Sequence, residues 1–113
     1  RVGTLNLASG RDAGGRPLDD AGLRAAVADL DVDVLAVQEV DAGQPRSHGA
    51  DQAAALGAAL GADWRMAATV AGTPDPFRSW RPLDAELRGP GEEARGPVYG
   101  IALLSRRPVR RWS

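Results

Sequence analysis

The apolar positions of this chain change period along its length, and the changes mark out its elements. Val2, Leu5 and Leu7 are spread among smaller or polar residues over 1–7, which predicts an opening strand that stops at Ala8-Ser9-Gly10. Residues 11–17, with Gly14 and Gly15, read as a turn. Asp19 and Asp20 then offer a helix start. Leu23, Ala26, Val27 and Leu30 recur at i, i+3, i+4 and i+7, the single stripe of a core-facing helix. From Val32 to Asp41 the sequence is Val-Asp-Val-Leu-Ala-Val-Gln-Glu-Val-Asp. Its continuous run Leu35-Ala36-Val37 suits a strand buried on both faces of a layered sheet.

A polar loop over 41–49 leaves the end of that strand. Asp51 caps a second helix, whose narrow apolar face is Ala54, Leu56, Ala59 and Leu60 and which Gly61 ends. Residues 64–70 predict a third strand, with Trp64 and Met66 as packing residues. Residues 72–97 carry Pro74, Pro76, Pro82, Pro90 and Pro97 and read as irregular, with Glu86, Glu92 and Glu93 solvated. A connection of that length in a compact domain is functional or mobile, and substrate selection is expected there. Residues 99–105 form a buried strand, Arg106-Arg107-Pro108 a turn, and residues 109–112 a last short strand.

Strand, helix, strand in succession favours a right-handed crossover between neighbouring strands. That arrangement brings Asn6, near the end of the first strand, beside Glu39, at the end of the second. A carboxylate on such a strand end stands on rigid backbone yet reaches a cleft, as a metal ligand must. The loop after it leaves from the same edge, where Arg46, Ser47 and His48 read either as solvated loop residues or as groups overhanging the strand ends.

Composition narrows the chemistry. The 113 residues suit one domain; 43% are hydrophobic and 26% charged, and the formal net charge of -1 argues against a generally basic nucleic-acid binder. Every basic side chain is Arg, and the run Arg106, Arg107, Arg110, Arg111 reads as a solvated turn. With no Cys, disulfides, thiolate nucleophiles and Cys-type zinc sites are excluded, and the single His48 excludes a His-rich metal site. No apolar run is long enough for a membrane helix. The sequence opens on Arg1 without a signal-peptide pattern, so localisation is unreadable. Neither a phosphate loop, a Gly-x-Gly-x-x-Gly nor a Gly-x-Ser-x-Gly is present, which weakens a nucleotide-binding and a serine-hydrolase reading.

The order of these segments resembles the N-terminal half of the endonuclease/exonuclease/phosphatase family, the DNase I-like metal-dependent phosphodiesterases and phosphatases. Thr4-Leu5-Asn6-Leu7 is similar to the family's first-strand Asn motif. Asp33-Val34-Leu35-Ala36-Val37-Gln38-Glu39-Val40 is similar to its strand ending in Gln-Glu, and residues 99–109 to a later strand-turn-strand motif. The resemblance implies an α/β (α+β) fold, half of a four-layer α/β/β/α sandwich with a mixed β-sheet, residues 1–113 being the N-terminal part of the domain. It implies that Glu39 is a ligand of a catalytic Mg²⁺ or Mn²⁺ and that Asn6 is a catalytic residue placing the scissile phosphate. Arg46 is a candidate substrate-binding residue. The implied substrate is a phosphoester: a nucleic acid, a phospholipid or a small phosphate ester.

The family's Gly-Asp-x-Asn strand and C-terminal Asp-His pair have no counterpart in these residues, and His48 falls too early to stand in for that His. The expectation is an incomplete catalytic domain, weak or inert alone. The inner face of its sheet would be left open to the remaining half or to a partner chain. The alternative is a non-catalytic α/β binding or scaffold module on the same fold, and a small nucleotide-binding α/β domain ranks last.

Overall fold

A computed structural model of the chain describes residues 1–74 and 79–113. In chain order its elements are β1 (Val2–Asn6), α1 (Asp20–Ala28), β2 (Val34–Ala42), a short 3-10 turn (Pro45–Ser47), α2 (Gln52–Leu60), β3 (Asp63–Ala71), β4 (Arg81–Arg88) and β5 (Val98–Ser105). The helix ends are set by local chemistry. Asp19 accepts a hydrogen bond from the Gly22 amide at 2.8 Å, and Asp51 accepts one from the Ala54 amide at 3.2 Å. Each satisfies a donor that the first turn leaves free. Gly61 closes α2 in the left-handed conformation that a helix stop favours, at φ 60°.

The five strands form one mixed sheet in the order β1-β2-β5-β3-β4. β1 runs parallel to β2, Val2 opposite Val34 through Asn6 opposite Gln38, so the first crossover joins neighbouring strands. The other pairs are antiparallel. Leu23 and Val27 of α1 and Ala53, Leu56 and Leu60 of α2 pack in one cluster with Leu35, Val37, Val40, Trp64, Met66, Ala102 and Leu104 of the sheet. Close packing reaches the backbone at Gly57 of α2, where a Cβ would run into the Trp64 ring. The helices lie over one side of the sheet, the helix-on-sheet pairing expected of an α/β/β/α sandwich.

The opposite side is open. Ile101 is 53% exposed, Leu103 41% and Leu87 46%. β5 therefore alternates, with Val98, Gly100, Ala102 and Leu104 buried and the residues between them facing out. Ala36 of β2 is only half-buried, so the apolar run 35–37 is not enclosed on both faces as its composition suggests. No helix among the described residues is long and apolar enough to cross a membrane.

Two further sequence expectations need correction. The stretch 72–97 is not irregular throughout, because β4 lies within it; residues 75–78 of that stretch lie outside the described residues. β4 is an edge strand, which is where the missing N–H of Pro82 is tolerated and where charged residues interrupt the apolar signal. Residues 109–112 form no strand. Both edges of β5 are already paired, and the tail is fastened by side chains instead. Trp112 Nε1 donates to Asp63 at 3.2 Å, the Arg65 guanidinium lies 5.3 Å from the Trp112 ring, and Arg106 Nε donates to the Leu60 carbonyl at 2.9 Å.

Asp51 has a second task besides its cap. Its carboxylate pairs with Arg88 of β4, at 2.6 and 3.0 Å, tying α2 to the far edge strand over the Trp64 ring. The Arg88 side chain is nearly buried, so losing its partner strands a charge. Asp51→Ala is expected to cost about 2 to 4 kcal/mol in urea denaturation, cap and stranded charge together. Asp51→Asn, which keeps the cap, should cost clearly less.

Candidate active site

The ends of β1 and β2 meet as the crossover requires. Asn6 Nδ2 donates to Glu39 Oε1 at 2.8 Å across a sequence separation of 33 residues. The amide's other end is fixed as well, because Asn6 Oδ1 accepts from the Ala8 N–H at 2.9 Å. The orientation of Asn6 is thereby determined: oxygen toward its own turn, nitrogen toward the carboxylate. Gln38 Nε2 donates to Thr4 Oγ1 at 3.1 Å, a second cross-strand link behind the pair.

Glu39 owes its position to an irregularity. Val37 pairs with Ala102 and Val40 with Gly100, so β2 advances three residues where β5 advances two. This is a β-bulge, and Glu39, at φ 58°, takes the left-handed conformation within it. The extra residue reverses the alternation: Leu35 and Val37 are buried before it, Val40 and Ala42 after it. Ala8 and Ser9, at φ 50° and 55°, are also left-handed, and the Ser9 N–H donates to the Glu39 carbonyl at 3.0 Å. Three non-glycine residues in this conformation thus face one another at the strand ends. Strain of this kind costs about 1 to 3 kcal/mol per residue and gathers at functional sites.

A buried polar network backs the pair. Asp41 is fully buried and carries a two-point ion pair from Arg46, Nε to Oδ2 at 2.9 Å and Nη2 to Oδ1 at 2.6 Å. Ser47 Oγ donates to Asp41 Oδ2. Gln52 accepts from the Asp41 N–H and donates to the Ser9 carbonyl, both at 2.8 Å, so the turn after β1, the end of β2 and the start of α2 form one unit. A buried carboxylate is tolerable only when its lone pairs are satisfied in this way.

Arg46 is therefore engaged with Asp41 and also lies over the rings of Trp80 at 5.6 Å and Tyr99 at 5.4 Å. His48 is exposed at the end of the 3-10 turn, away from this network's hydrogen bonds. Asp41, Gln52, Tyr99 and Trp80 were not candidates on the sequence alone. The phase slip from Leu35 and Val37 to Val40 and Ala42 was the one readable sign of the bulge.

Tyr99 pairs with Asp41 across the β2–β5 ladder. Burial pushes its phenol above the ordinary value of 10.0, the Glu39 carboxylate adds to the rise, and the Arg46 cation opposes it. Glu39 thus lies within electrostatic reach of the Tyr99 hydroxyl.

The family model described as Endonuclease/Exonuclease/phosphatase family matches residues 3–113. No curated protein and no solved structure matches the chain.

Two outcomes follow from this geometry. Glycine relieves left-handed strain, so Glu39→Gly is expected to be about 1 kcal/mol more stable than Glu39→Ala by urea denaturation, although both lose the Asn6 contact. Tyr99 is the chain's one tyrosine, so tyrosinate absorbance reads it alone. Its titration midpoint should lie above 10.0 and fall in Glu39→Gln without returning fully, because burial remains. Since the raised value marks a neutral phenol favoured by the fold, its stabilising contribution is present below pH 10 and is lost as pH rises through the folded-state midpoint.

Proposed function

Because a match over residues 3–113 means that the chain belongs to the endonuclease/exonuclease/phosphatase family, we propose that it provides the phosphate- and metal-handling edge of a divalent-metal-dependent phosphoester hydrolase. The family acts on phosphoester substrates such as nucleic acids and generally uses divalent metals. The observation that carries the proposal is the Asn6–Glu39 pair, fixed at the ends of two parallel strands on a strained bulge.

The residues present suit a hard cation that keeps most of its own shell. Glu39 is half-buried and has one carboxylate oxygen engaged by Asn6. Among the described residues no three His, Asp or Glu side chains cluster for a metal. Mg²⁺, and Mn²⁺ with it, is commonly held by one or two carboxylates while waters and substrate phosphate oxygens complete the shell. Glu39 would hold it, and Asn6 would keep that carboxylate in place and orient a phosphate oxygen through its amide. Bound there, the cation would neutralise phosphate oxygens and stabilise charge on the departing oxygen.

Water activation belongs to other groups in this reading. The Gly-Asp-x-Asn and Asp-His motifs are absent from residues 1–113, so no residue of this stretch is assigned to activating the attacking water. The open sheet face at Ile101, Leu103 and Leu87 is apolar enough to suit packing by a further layer.

In the complete protein, Glu39→Ala is expected to lower Mn²⁺-dependent hydrolysis of bis(4-nitrophenyl) phosphate by about 100-fold or more, and Asn6→Ala by about 10- to 100-fold. Mn²⁺ should raise the melting temperature of the wild type and leave Glu39→Ala unmoved. Unchanged turnover in Glu39→Ala would overturn Glu39 as the ligand, whereas no Mn²⁺-dependent turnover in the wild type would favour a non-catalytic binding or scaffold module.

A further inference from the structure

Trp80 lies just ahead of β4 and stays 38% exposed although it is among the largest apolar side chains of the domain. A single exposed tryptophan needs no explanation. This one, however, is held rigidly. Its ring stacks on Tyr99, with centroids 5.3 Å apart and planes inclined by 28°. The Arg46 guanidinium sits over both rings, and Arg46 is in turn fixed by its two-point pair with Asp41.

The backbone beside the ring is pinned too. The Thr73 N–H donates to Ser79 Oγ at 3.0 Å, Gln44 Nε2 donates to the Gly72 carbonyl at 2.8 Å, and the Gly72 N–H donates to the Pro97 carbonyl at 2.9 Å. Residues from three separate segments therefore converge to hold one partly exposed aromatic surface. Tyr99 connects that surface to the catalytic edge, because it pairs with Asp41, two residues beyond Glu39.

We propose that Trp80, stacked on Tyr99 and oriented by Arg46, is a platform for a planar ring of the substrate, so that the site prefers nucleotide-type phosphoesters to esters without a ring. The proposal rests on the reading of Glu39 as the phosphate-side metal ligand. A rigid, partly exposed indole offers a stacking surface without an ordering cost at binding. The alternative occupant of an aromatic site, a quaternary ammonium, is disfavoured by what is already there. The Arg46 cation lies 5.6 and 5.4 Å from the two ring centroids, so a choline group on this surface would sit beside a like charge. A neutral heteroaromatic ring meets no such conflict.

Stacking of one base on an aromatic side chain contributes about 5- to 150-fold in affinity. The test is isothermal titration calorimetry on the complete protein with Mn²⁺ present, comparing adenosine 5′-monophosphate, ribose 5-phosphate and phosphocholine. Wild type is expected to bind the nucleotide tighter than ribose 5-phosphate within that range. Trp80→Ala should bring the ratio close to one, and Trp80→Phe should keep part of it. The ratio is the readout, so any general loosening of the fold cancels.

Equal affinity for the two phosphates in wild type, a ratio unchanged by Trp80→Ala, or no measurable nucleotide binding overturns the platform. A preference for phosphocholine overturns it in favour of a lipid headgroup. Failure of the underlying reading shows differently: ribose 5-phosphate binding, and its dependence on Mn²⁺, would be the same in Glu39→Ala as in wild type.

Discussion

One extra residue in β2 sets the terms for the rest of the structure. Without the bulge at Glu39, strict alternation would carry Val40 and Ala42 to the open face and turn Asp41 toward the hydrophobic cluster. The insertion returns the two apolar side chains to the core and lets Asp41 meet Arg46 and Ser47. The left-handed residue left between the two phases is the one whose carboxylate Asn6 holds at the strand ends. Core packing, the buried ion pair and the candidate ligand thus depend on a single backbone event.

That event is sustained by its surroundings. An acidic residue in left-handed conformation persists only where neighbouring contacts outweigh the strain. Here the Asn6 amide holds the side chain, the Ser9 N–H holds the carbonyl, and Gln52 ties the Ser9 turn to β2 from behind. The result is a carboxylate with little freedom left to lose when a ligand arrives, which is the condition under which one acidic group can matter to binding.

The parts legible in the sequence were those written in local chemistry or in the order of elements. Asp19, Asp51 and Gly61 announce helix ends because capping involves only residues a few positions apart. The meeting of Asn6 and Glu39 was legible because a strand-helix-strand unit leaves few topologies to choose from. β4 is hidden in the sequence because an edge strand tolerates proline and charge, which are the marks of a loop. The short strand expected at 109–112 has the right residues and no free edge of β5 to pair with, a fact of tertiary structure. Asp41 and Arg46 look like solvated residues at the start of a polar loop; only the 3-10 turn at 45–47 folds the cation back onto the acid.

The strand order also constrains how the domain is made. β5, last of the five strands in sequence, lies in the middle of the sheet, between β2 and β3. Until it is synthesised, the β1–β2 ribbon and the β3–β4 hairpin have no ladder joining them, and each exposes an unpaired edge. Assembly therefore waits on a contact that closes long loops on both sides, the kind of topology that folds slowly. A ribosome-bound chain lacking β5 would hold two half-sheets with unpaired edges, the condition that favours aggregation of a partly made chain.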